Sequence, residues 1–378
     1  MGLAHSPKII TDGLAFIYDT ASSKSYKGEP TVNLLNYTTE FNNWTAAKNS
    51  GTTPTVTVDT SVNPLGLAGA PMADKVYLPD DGTYPRIQQY FTPASTNTHT
   101  FSVWIRSLSG NCDCFLGAFR NSPWSLPGSS VKSITGEWQR FTFSWTPPDT
   151  TTHVIYMGSH DTAAQKGNTL EFWGAQMEAK SHATQFVNGT RSTTQGLLDL
   201  TNNTTIDISN ASFDSNAQMV FDGTDDTINT GLFSGRNPTA DPFTIEAMVK
   251  SDITSGSRMW IDATSNGSNQ RLYCAYAATG TGNPMGIQGT AWSSSGVNDT
   301  DYHHYVIVMD GSVARLYNNG EAHSTRNYTS YQIQALNIGG RNTYRWLGDI
   351  PIFKLYNRAL TAEEVLQNYN ATKSRFGL

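Results

Sequence analysis

Charged side chains are scarce in this sequence of 378 residues. They make up 15% of it, against roughly a quarter in typical soluble proteins. The 25 lysines and arginines and the 31 aspartates and glutamates give a net charge of −6, and no run of basic residues occurs. Proteins that bind nucleic acids use clustered lysines and arginines to contact the negatively charged phosphates. Because this sequence has no such cluster, we expect no nucleic-acid partner.

Long apolar runs are lacking as well. No window approaches the roughly 18 consecutive apolar residues of a membrane-spanning helix. Residues 1–12 contain no apolar core of the length that a signal peptide needs. The sequence therefore predicts a chain that is made in the cytoplasm and does not insert into a membrane.

Cysteine is rare, with three in the chain. Cys112 and Cys114 are too close in sequence to bridge comfortably within a strand, and Cys274 is distant from both. We expect no disulfide framework.

The motifs of common enzymes are absent: G-x-x-x-x-G-K-[ST], H-E-x-x-H and G-x-S-x-G do not occur. Most glycoside hydrolases need two carboxylates about 5 to 10 Å apart. Glu171 and Glu178 lie in one predicted strand region, where we expect their separation to be too large. The sequence therefore predicts no catalytic activity.

Strand-like alternation dominates what the sequence does contain. Apolar and polar residues alternate over 101–106, 139–145 and 243–249, which predicts strands with one buried face. Asp310 and Gly311 separate two such runs and indicate a hairpin. The pattern predicts antiparallel sheets.

One helix is predicted at 361–373. Thr361 can cap its start and Glu364, three residues on, can complete a capping box. Val365, Leu366 and Tyr369 form one apolar stripe. The predicted fold is all-β, with two antiparallel sandwiches and this short C-terminal helix.

The C-terminal half carries an ordered series of motifs. They are FDGTDD at 221–226, PFTIEAMVK at 242–250, YHHYVIVMDGSVARLYNNGE at 302–321, LNIGG at 336–340 and GDIPIFKLYNRALTAEEVLQNYN at 348–370. This series resembles the laminin-G-like, concanavalin A-like lectin domain. The version that ends in YNRALTAEEVLQNYN resembles bacteriophage virion proteins in particular. The resemblance implies a concanavalin A-like sandwich.

A second domain is predicted inside the first. Residues 13–31 resemble the opening strand of the same lectin-like domain, but the matching continuation comes only within 189–378. The intervening 32–188 contains FSVWIRS, EWQRFTFSWTPP and LEFWGAQMEAK, and it resembles jelly-roll carbohydrate-binding modules of phage surface proteins. We therefore predict an N-terminal arm at 1–12 and a concanavalin A-like domain interrupted by the jelly roll. In the alternative, a tandem arrangement, 13–28 would be an arm.

Aromatic residues that are out of phase with the core are the candidates for sugar contact, because sugars stack on aromatic faces beside planar polar groups. Trp104 alternates with the apolar residues of its strand, and the others lie in loops. The candidates are Trp104, Trp124, Tyr84 and Arg86 in the jelly roll, and Tyr344 and Trp346, together with Trp292, in the lectin-like domain. The alternative is packing within the core or between subunits.

Three aspartates within five residues form a candidate calcium site, since calcium prefers oxygen ligands. Asp222, Asp225 and Asp226 can converge only if their segment is a loop, because successive strand side chains point to opposite faces. Asp349 or Asp310 could complete the set. The alternative is a solvated acidic turn.

Together these features predict a non-enzymatic phage structural protein on the virion surface, as tail fibre, head fibre or decoration. We expect it to adhere to host-surface glycans and to have other virion proteins and further copies of itself as partners. One alternative is a purely architectural capsid decoration, collar or fibre connector. A polysaccharide depolymerase is the third.

Overall fold

The chain folds into two compact units. The computed structural model describes residues 8–66, 70–160, 162–232, 234–254, 258–265, 272–276, 285–287, 290–291, 299–329, 332–341 and 344–378. Unit 1 comprises the described parts of Met1–Glu29, Ser192–Asp214 and Gln218–Leu378, and unit 2 those of Pro30–Arg191 and Ser215–Ala217.

Both units consist almost entirely of β-strands. In chain order the strands are β1 (Leu14–Asp19), β2 (Thr31–Val32), β3 (Thr45–Ala47), β4 (Thr55–Ser61), β5 (Ala73–Leu78), β6 (Arg86–Phe91), β7 (His99–Ser107), β8 (Cys112–Arg120), β9 (Ser125–Ile134), β10 (Gln139–Trp145), β11 (His153–Gly158), β12 (Asn168–Glu178), β13 (Thr190–Arg191), β14 (Ser212–Phe213), β15 (Met219–Asp222), β16 (Ile228–Asn229), β17 (Phe243–Ser251), β18 (Arg258–Ser265), β19 (Leu272–Tyr276), β20 (Met285–Ile287), β21 (Thr290–Ala291), β22 (Tyr302–Asp310), β23 (Val313–Asn318), β24 (Glu321–Asn327), β25 (Ile333–Ile338) and β26 (Leu347–Tyr356). The helices are α1 (Ala362–Thr372) and short 3-10 turns at Phe41–Asn43, Ala163–Gln165 and Lys373–Phe376. This confirms the predicted all-β fold with one short C-terminal helix.

Unit 1 is a sandwich of two antiparallel sheets. The first has the order β14-β15-β26-β17-β22-β23-β24, with β1 also paired to β26, and the second the order β16-β25-β18-β19-β20-β21. Side chains from both sheets form one core, which includes Ile245, Phe353, Ile261 and Leu336. The predicted hairpin is confirmed, because Asp310 ends β22 and β23 begins at Val313.

The first strand of the chain pairs with its last strand. Tyr18 of β1 lies opposite Phe353 of β26, and their rings are stacked with centroids 6.1 Å apart. The chain then leaves unit 1 after Glu29 and returns at Ser192. Unit 1 is therefore discontinuous in sequence.

Unit 2 is a second antiparallel sandwich. Its two five-stranded sheets have the orders β10-β7-β12-β5-β4 and β3-β6-β11-β8-β9. Its core includes Phe101, Val103 and Ile105 of β7, which are fully buried as their alternation predicts. The remaining pair, β2 and β13, joins Thr31 to Arg191 near the two ends of the unit.

Helix α1 covers the outer face of the first sheet of unit 1. Thr361 caps it, and the reciprocal capping box with Glu364 is present, as predicted. Val365 packs in a small core with Val306 and Val308 of β22. The predicted apolar stripe is wrong at Leu366, which is 45% exposed.

Four buried polar side chains lie between this helix and the sheet, and we call them the buried charge cluster. Glu246 Oε1 accepts hydrogen bonds from Lys354 Nζ at 2.5 Å and from His304 Nε2 at 2.8 Å. Glu246 Oε2 accepts from Asn368 Nδ2 of the helix at 2.6 Å. All four are at most 1% exposed.

The N-terminal segment is fastened to the same helix. The backbone N–H of Ile10 donates to Asn368 Oδ1 at 2.7 Å, and Tyr356 Oη donates to the carbonyl of Ile10 at 3.1 Å. Within the described part of the predicted arm, residues 8–12 therefore lie along unit 1.

No helix in the described part of the chain is both long and apolar enough to cross a membrane. Cys112 and Cys114 are free thiols, and burial raises the pKa of Cys114.

Candidate functional site

The outer face of the sheet β3-β6-β11-β8-β9 in unit 2 carries an unusual set of aromatic side chains. In β8, Leu116 and Ala118 enter the core, while Phe115 and Phe119 lie on the opposite face. These two phenylalanines form a separate buried cluster with Val154 and Tyr156. Because the hydrophobic core of the sandwich is on the other side of the sheet, this second cluster is a surface feature.

The aromatic cluster forms one side of a groove of about 470 Å³. We call it the aromatic groove and define it by the residues that line it. They are Asn49, Tyr84, Arg86, Gln88, Tyr90, Phe119, Trp124, Tyr156 and His160.

The apolar part of the groove is a set of rings in mutual contact. The ring of Phe119 lies 4.4 Å from that of Tyr156 and 5.0 Å from that of Trp124, measured between centroids. Trp124 is 55% exposed, whereas Phe119 and Tyr156 are buried. Trp124 therefore offers an open aromatic face on a rigid base.

Gly117 makes room for this base. Its position in β8 lies between the two phenylalanines, and a Cβ atom there would come within 2.5 Å of the Phe115 ring and 3.0 Å of the Phe119 ring. The Phe115 ring would have to move to make room for that Cβ atom, and the Phe119 ring would be tightly contacted. Glycine at this position therefore lets both rings lie over the strand as they do.

The polar part of the groove is centred on Arg86. Its guanidinium carbon lies 4.4 Å from the centroid of the Tyr156 ring. Its Nε donates to Gln88 Oε1 at 2.9 Å, and its Nη1 donates to the carbonyl of Tyr84 at 2.9 Å and to Asn49 Oδ1 at 3.2 Å. The guanidinium is therefore held in one orientation by neutral acceptors.

His160 and Tyr84 close one end of the groove. The imidazole of His160 stacks on Phe115 at 4.6 Å and meets Tyr84 edge-on at 5.2 Å. Tyr84 has a φ of 55°, a left-handed backbone conformation that is uncommon outside glycine, asparagine and aspartate. Such strain at a residue other than glycine persists only where surrounding structure holds it.

The structure brings three predicted sugar contacts, Tyr84, Arg86 and Trp124, into this one groove. Sequence reasoning missed the other six lining residues. The signal that could have found Gln88 and Tyr90 is the two-residue period that starts at Arg86 in β6.

Trp104 does not belong to the groove, because β7 lies in the other sheet of unit 2. It does point away from Phe101 and Val103, as its position predicts, but that face is covered. Its ring packs against Trp173 at 5.3 Å and Phe186 at 6.1 Å, and the Arg140 guanidinium lies 4.4 Å from its centroid. Trp104 is half-buried in a packing cluster.

The two sugar-contact candidates just before β26, Tyr344 and Trp346, differ from each other. Tyr344 is 40% exposed, but Trp346 is fully buried in the core of unit 1. The prediction that Trp346 contacts a sugar is wrong because this side chain lies inside the core. The chain is already entering β26 there, and the indole Nε1 donates to the carbonyl of Asp349 at 3.4 Å. Trp292 lies outside the described residues.

The three aspartates of the candidate calcium site do meet. Ligand oxygens of Asp222, Asp225 and Asp226 all lie within 4.8 Å of one another. The condition for their convergence is satisfied, because β15 ends at Asp222 and β16 begins at Ile228, which leaves the segment between them as a loop.

Asp226 is the unusual member of this acidic loop. It is 1% exposed, and its Oδ1 is buried without a hydrogen-bond partner. Burial raises the pKa of Asp226 to about 6, whereas the backbone N–H of Thr224 lowers the pKa of Asp222. A buried carboxylate oxygen beside two exposed carboxylates fits the donor set of a hard cation.

Asp349 lies apart from this group. Its carboxylate accepts a hydrogen bond from the hydroxyl of Tyr302 at 2.8 Å. The prediction that Asp349 completes the ligand set is wrong: Leu347, two residues earlier, lies opposite Asp222 in the pairing of β15 with β26, and Asp349 is not among the carboxylates that meet.

A larger hollow of about 650 Å³ in unit 1 is lined by residues around Asp199. The Asp199 carboxylate is saturated, since it accepts from the backbone N–H groups of Ile17, Thr201, Asn203 and Thr204 and from the Thr201 hydroxyl. The Asp199 carboxylate therefore holds the loop in place and is not available for catalysis.

Part of unit 1 matches a known family model. Residues 221–366 match the family model described as Laminin_G_3, of the concanavalin A-like lectin/glucanases superfamily. This confirms the resemblance that the ordered motifs from 221 onward predict.

Solved structures give weaker, partial similarities. Trypanosoma rangeli sialidase in complex with the inhibitor DANA is 16% identical, with a TM-score of 0.38, over 45% of this chain and 30% of that one. Domain 4 of AbnA, a GH43 extracellular arabinanase from Geobacillus stearothermophilus in complex with arabinotriose, is 14% identical with a TM-score of 0.37, over 47% of this chain and 93% of that one. The CBM40 of Ruminococcus gnavus IT-sialidase is 14% identical with a TM-score of 0.29, over 36% and 94%. A comparison with curated protein sequences gives no match.

Proposed function

We propose that this chain is a non-enzymatic glycan-binding protein of a bacteriophage virion, and that the aromatic groove of unit 2 is its adhesion site. The observation that carries the proposal is the combination in one groove of an open tryptophan face and an ordered set of planar polar groups. Aromatic faces stack on the C–H side of sugar rings, while amides and guanidinium groups meet their hydroxyls.

Binding to the groove would cost little side-chain conformational entropy. Trp124 rests on Phe119, and Arg86 is already held by Gln88 and Asn49, so little side-chain freedom remains to be lost when a sugar binds. A single shallow site of this kind binds weakly. Copies displayed on one particle would gain affinity through effective concentration, without new contacts.

The absence of carboxylates in the groove supports a binding role over hydrolysis. None of the nine described residues that line it is an aspartate or a glutamate, whereas most glycoside hydrolases need two. The placement on a virion rests on the sequence resemblance of residues 348–370 to phage structural proteins. Immunogold labelling of intact particles with antibody to this chain tests that placement.

Trp124→Ala tests the proposed groove. We expect the wild-type chain to bind a subset of a glycan array, and the variant to bind the same glycans about tenfold or more weakly, because it loses the open stacking face. Trp138→Ala is the matched control, since Trp138 packs on Arg106 and does not line the groove.

Three outcomes would contradict this assignment. Equal binding by wild type and the Trp124 variant would place recognition elsewhere. No binding to any glycan would favour the purely architectural role, and release of reducing ends from a bound polysaccharide would favour a depolymerase.

We also propose that the acidic loop of unit 1 holds calcium. Asp222, Asp225 and Asp226 would supply three oxygen ligands, and bound calcium would neutralise the buried carboxylate of Asp226. The proposed role is structural: the ion would hold together the loop between β15 and β16.

Calcium titration of thermal unfolding checks this site. At a hundredfold excess over its dissociation constant, calcium is expected to stabilise unit 1 by about 2.7 kcal/mol. Asp226→Asn should abolish that response, and Asp301→Asn, an exposed control outside the loop, should keep it. A calcium response that survives Asp226→Asn would refute the assignment.

A further inference from the structure

We infer that the glycan held by the aromatic groove is anionic, and that Arg86 receives the sugar's carboxylate. This inference rests on the proposed function, and it names the substrate class of the same site.

The first argument is the charge of the groove. Its nine described lining residues include one arginine and one histidine, and no acidic side chain. Every side-chain or carbonyl acceptor that holds the Arg86 guanidinium is neutral: Gln88 Oε1, Asn49 Oδ1 and the carbonyl of Tyr84. The groove thus contains a fixed positive charge that these contacts orient but do not neutralise.

The second argument compares Arg86 with other arginines of unit 2. Arg106 pairs with Glu171 at 2.6 Å, and Arg120 pairs with Asp149. Among the described residues, no carboxylate oxygen lies within 4.0 Å of a guanidinium nitrogen of Arg86. Arg140 likewise forms no ion pair with a described residue, but it lies in the packing cluster of Trp104 and donates to Thr184 and Ser102, whereas Arg86 lines an open groove beside the exposed Trp124.

The third argument is the position of that cation. Arg86 lies over Tyr156, and Tyr156 packs against both Phe119 and Trp124. A sugar ring stacked on Trp124 would therefore lie close to the guanidinium. Hydroxyl groups alone could be met by Asn49, Gln88 and Tyr90, so a neutral sugar does not account for an arginine held in this way.

An acidic monosaccharide unit satisfies both halves of the groove. Its ring presents C–H groups for stacking, and its carboxylate accepts charge-assisted hydrogen bonds, which are roughly twice as strong as neutral ones. Uronic acids and carboxylated ketoses belong to this class. A sulfate ester presents similar oxygens, and the experiment separates the two sources.

Matched pairs of acidic and neutral glycans test the inference with the full-length chain. The pairs are polygalacturonate with its methyl ester, 3′-sialyllactose with lactose, and a desulfated glycosaminoglycan with its carboxyl-reduced form; sulfated but carboxyl-free dextran is the separate sulfate arm. We expect the wild type to bind the acidic member of at least one pair about tenfold more tightly, the order of one hydrogen bond to a charged group. The preference should shrink as salt is added.

Arg86→Gln should remove the preference, because glutamine keeps hydrogen bonding without charge. The affinity for the acidic member should therefore fall about tenfold further than the affinity for the neutral member. Lys132→Gln, which removes a charge from β9 outside the groove, is the control and should change neither affinity. Trp124→Ala should weaken both members of the pair equally.

The outcomes separate this inference from the proposed function. Equal binding of acidic and neutral members, with loss of both in Trp124→Ala, would overturn the anionic class and leave the groove as a glycan site. Tight binding to the sulfated dextran alone would show that Arg86 recognises sulfate rather than carboxylate. Failure of the wild type to bind any probe, or binding that Trp124→Ala leaves unchanged, would show that the groove is not the glycan site.

Discussion

Glu246→Gln is expected to destabilise unit 1 by about 3 to 5 kcal/mol, because it leaves Lys354 charged, buried and without its counter-ion. Removing one partner of a buried ion pair costs far more than the pair itself contributes, since the remaining charge cannot regain its hydration. The same substitution weakens the hydrogen bond with which Asn368 holds helix α1 to the sheet.

Acid should have a related effect on the wild type. Burial alone would raise the pKa of Glu246, but Lys354 and His304 outweigh it and lower the pKa from 4.5 to about 2. A carboxyl group with a lowered folded-state pKa stabilises the native state fully above its unfolded pKa, and this contribution is lost as the pH falls from about 4.5 to about 2. The Gln variant should lack that part of the pH dependence.

Urea unfolding, followed by hydrogen exchange of amides in β17 and β26, measures both effects in unit 1. The exposed pair of Arg315 and Asp310 supplies the control, and Arg315→Gln should cost at most about 1 kcal/mol. A Glu246→Gln variant as stable as that control would show that Lys354 is not an isolated buried charge after the substitution.

Trp346→Ala is expected to cost unit 1 about 3 to 5 kcal/mol, because it removes a fully buried aromatic side chain and leaves a cavity. Its effect on glycan binding, measured below the unfolding transition, should be small, since unit 2 carries the groove. This is the opposite of what a sugar-contact role for Trp346 requires.

Tyr344→Ala gives the comparison from the same loop. Tyr344 is 40% exposed, and truncating an exposed side chain usually changes stability by less than about 0.5 kcal/mol. If Trp346→Ala left stability unchanged and reduced glycan binding instead, the burial of Trp346 would be the wrong description.

The contrast between these two residues shows where sequence reasoning succeeded and where it failed. Alternation within a strand gave the core face of β7 correctly, because a strand has a fixed period of two. The same alternation could not say that Trp173 and Phe186 cover the opposite face, since those contacts come from distant parts of the chain. Trp104 therefore looked exposed when it is half-buried.

Loop residues were harder still to place. The sequence predicts Tyr84, Arg86 and Trp124 as loop residues but does not predict that they meet. Arg86 is the first residue of β6, and the order of strands β6, β11 and β8 in one sheet brings the three together. That order is a property of the whole sandwich. The sequence also predicts Trp346 in a loop and Asp349 in a metal site, because the start of β26 carries no local signal. In the structure Gly348 already pairs with Phe221 of β15.

The pairing of β1 with β26 has a consequence for how the molecule is made and diversified. Unit 1 cannot complete its first sheet until the final strand has left the ribosome, whereas all of unit 2 has emerged long before. We therefore expect unit 2 to fold during translation, before unit 1 can add its last strand. Because β2 pairs with β13, the two ends of Pro30–Arg191 lie together, an arrangement that lets such a segment be exchanged without altering the strands of unit 1.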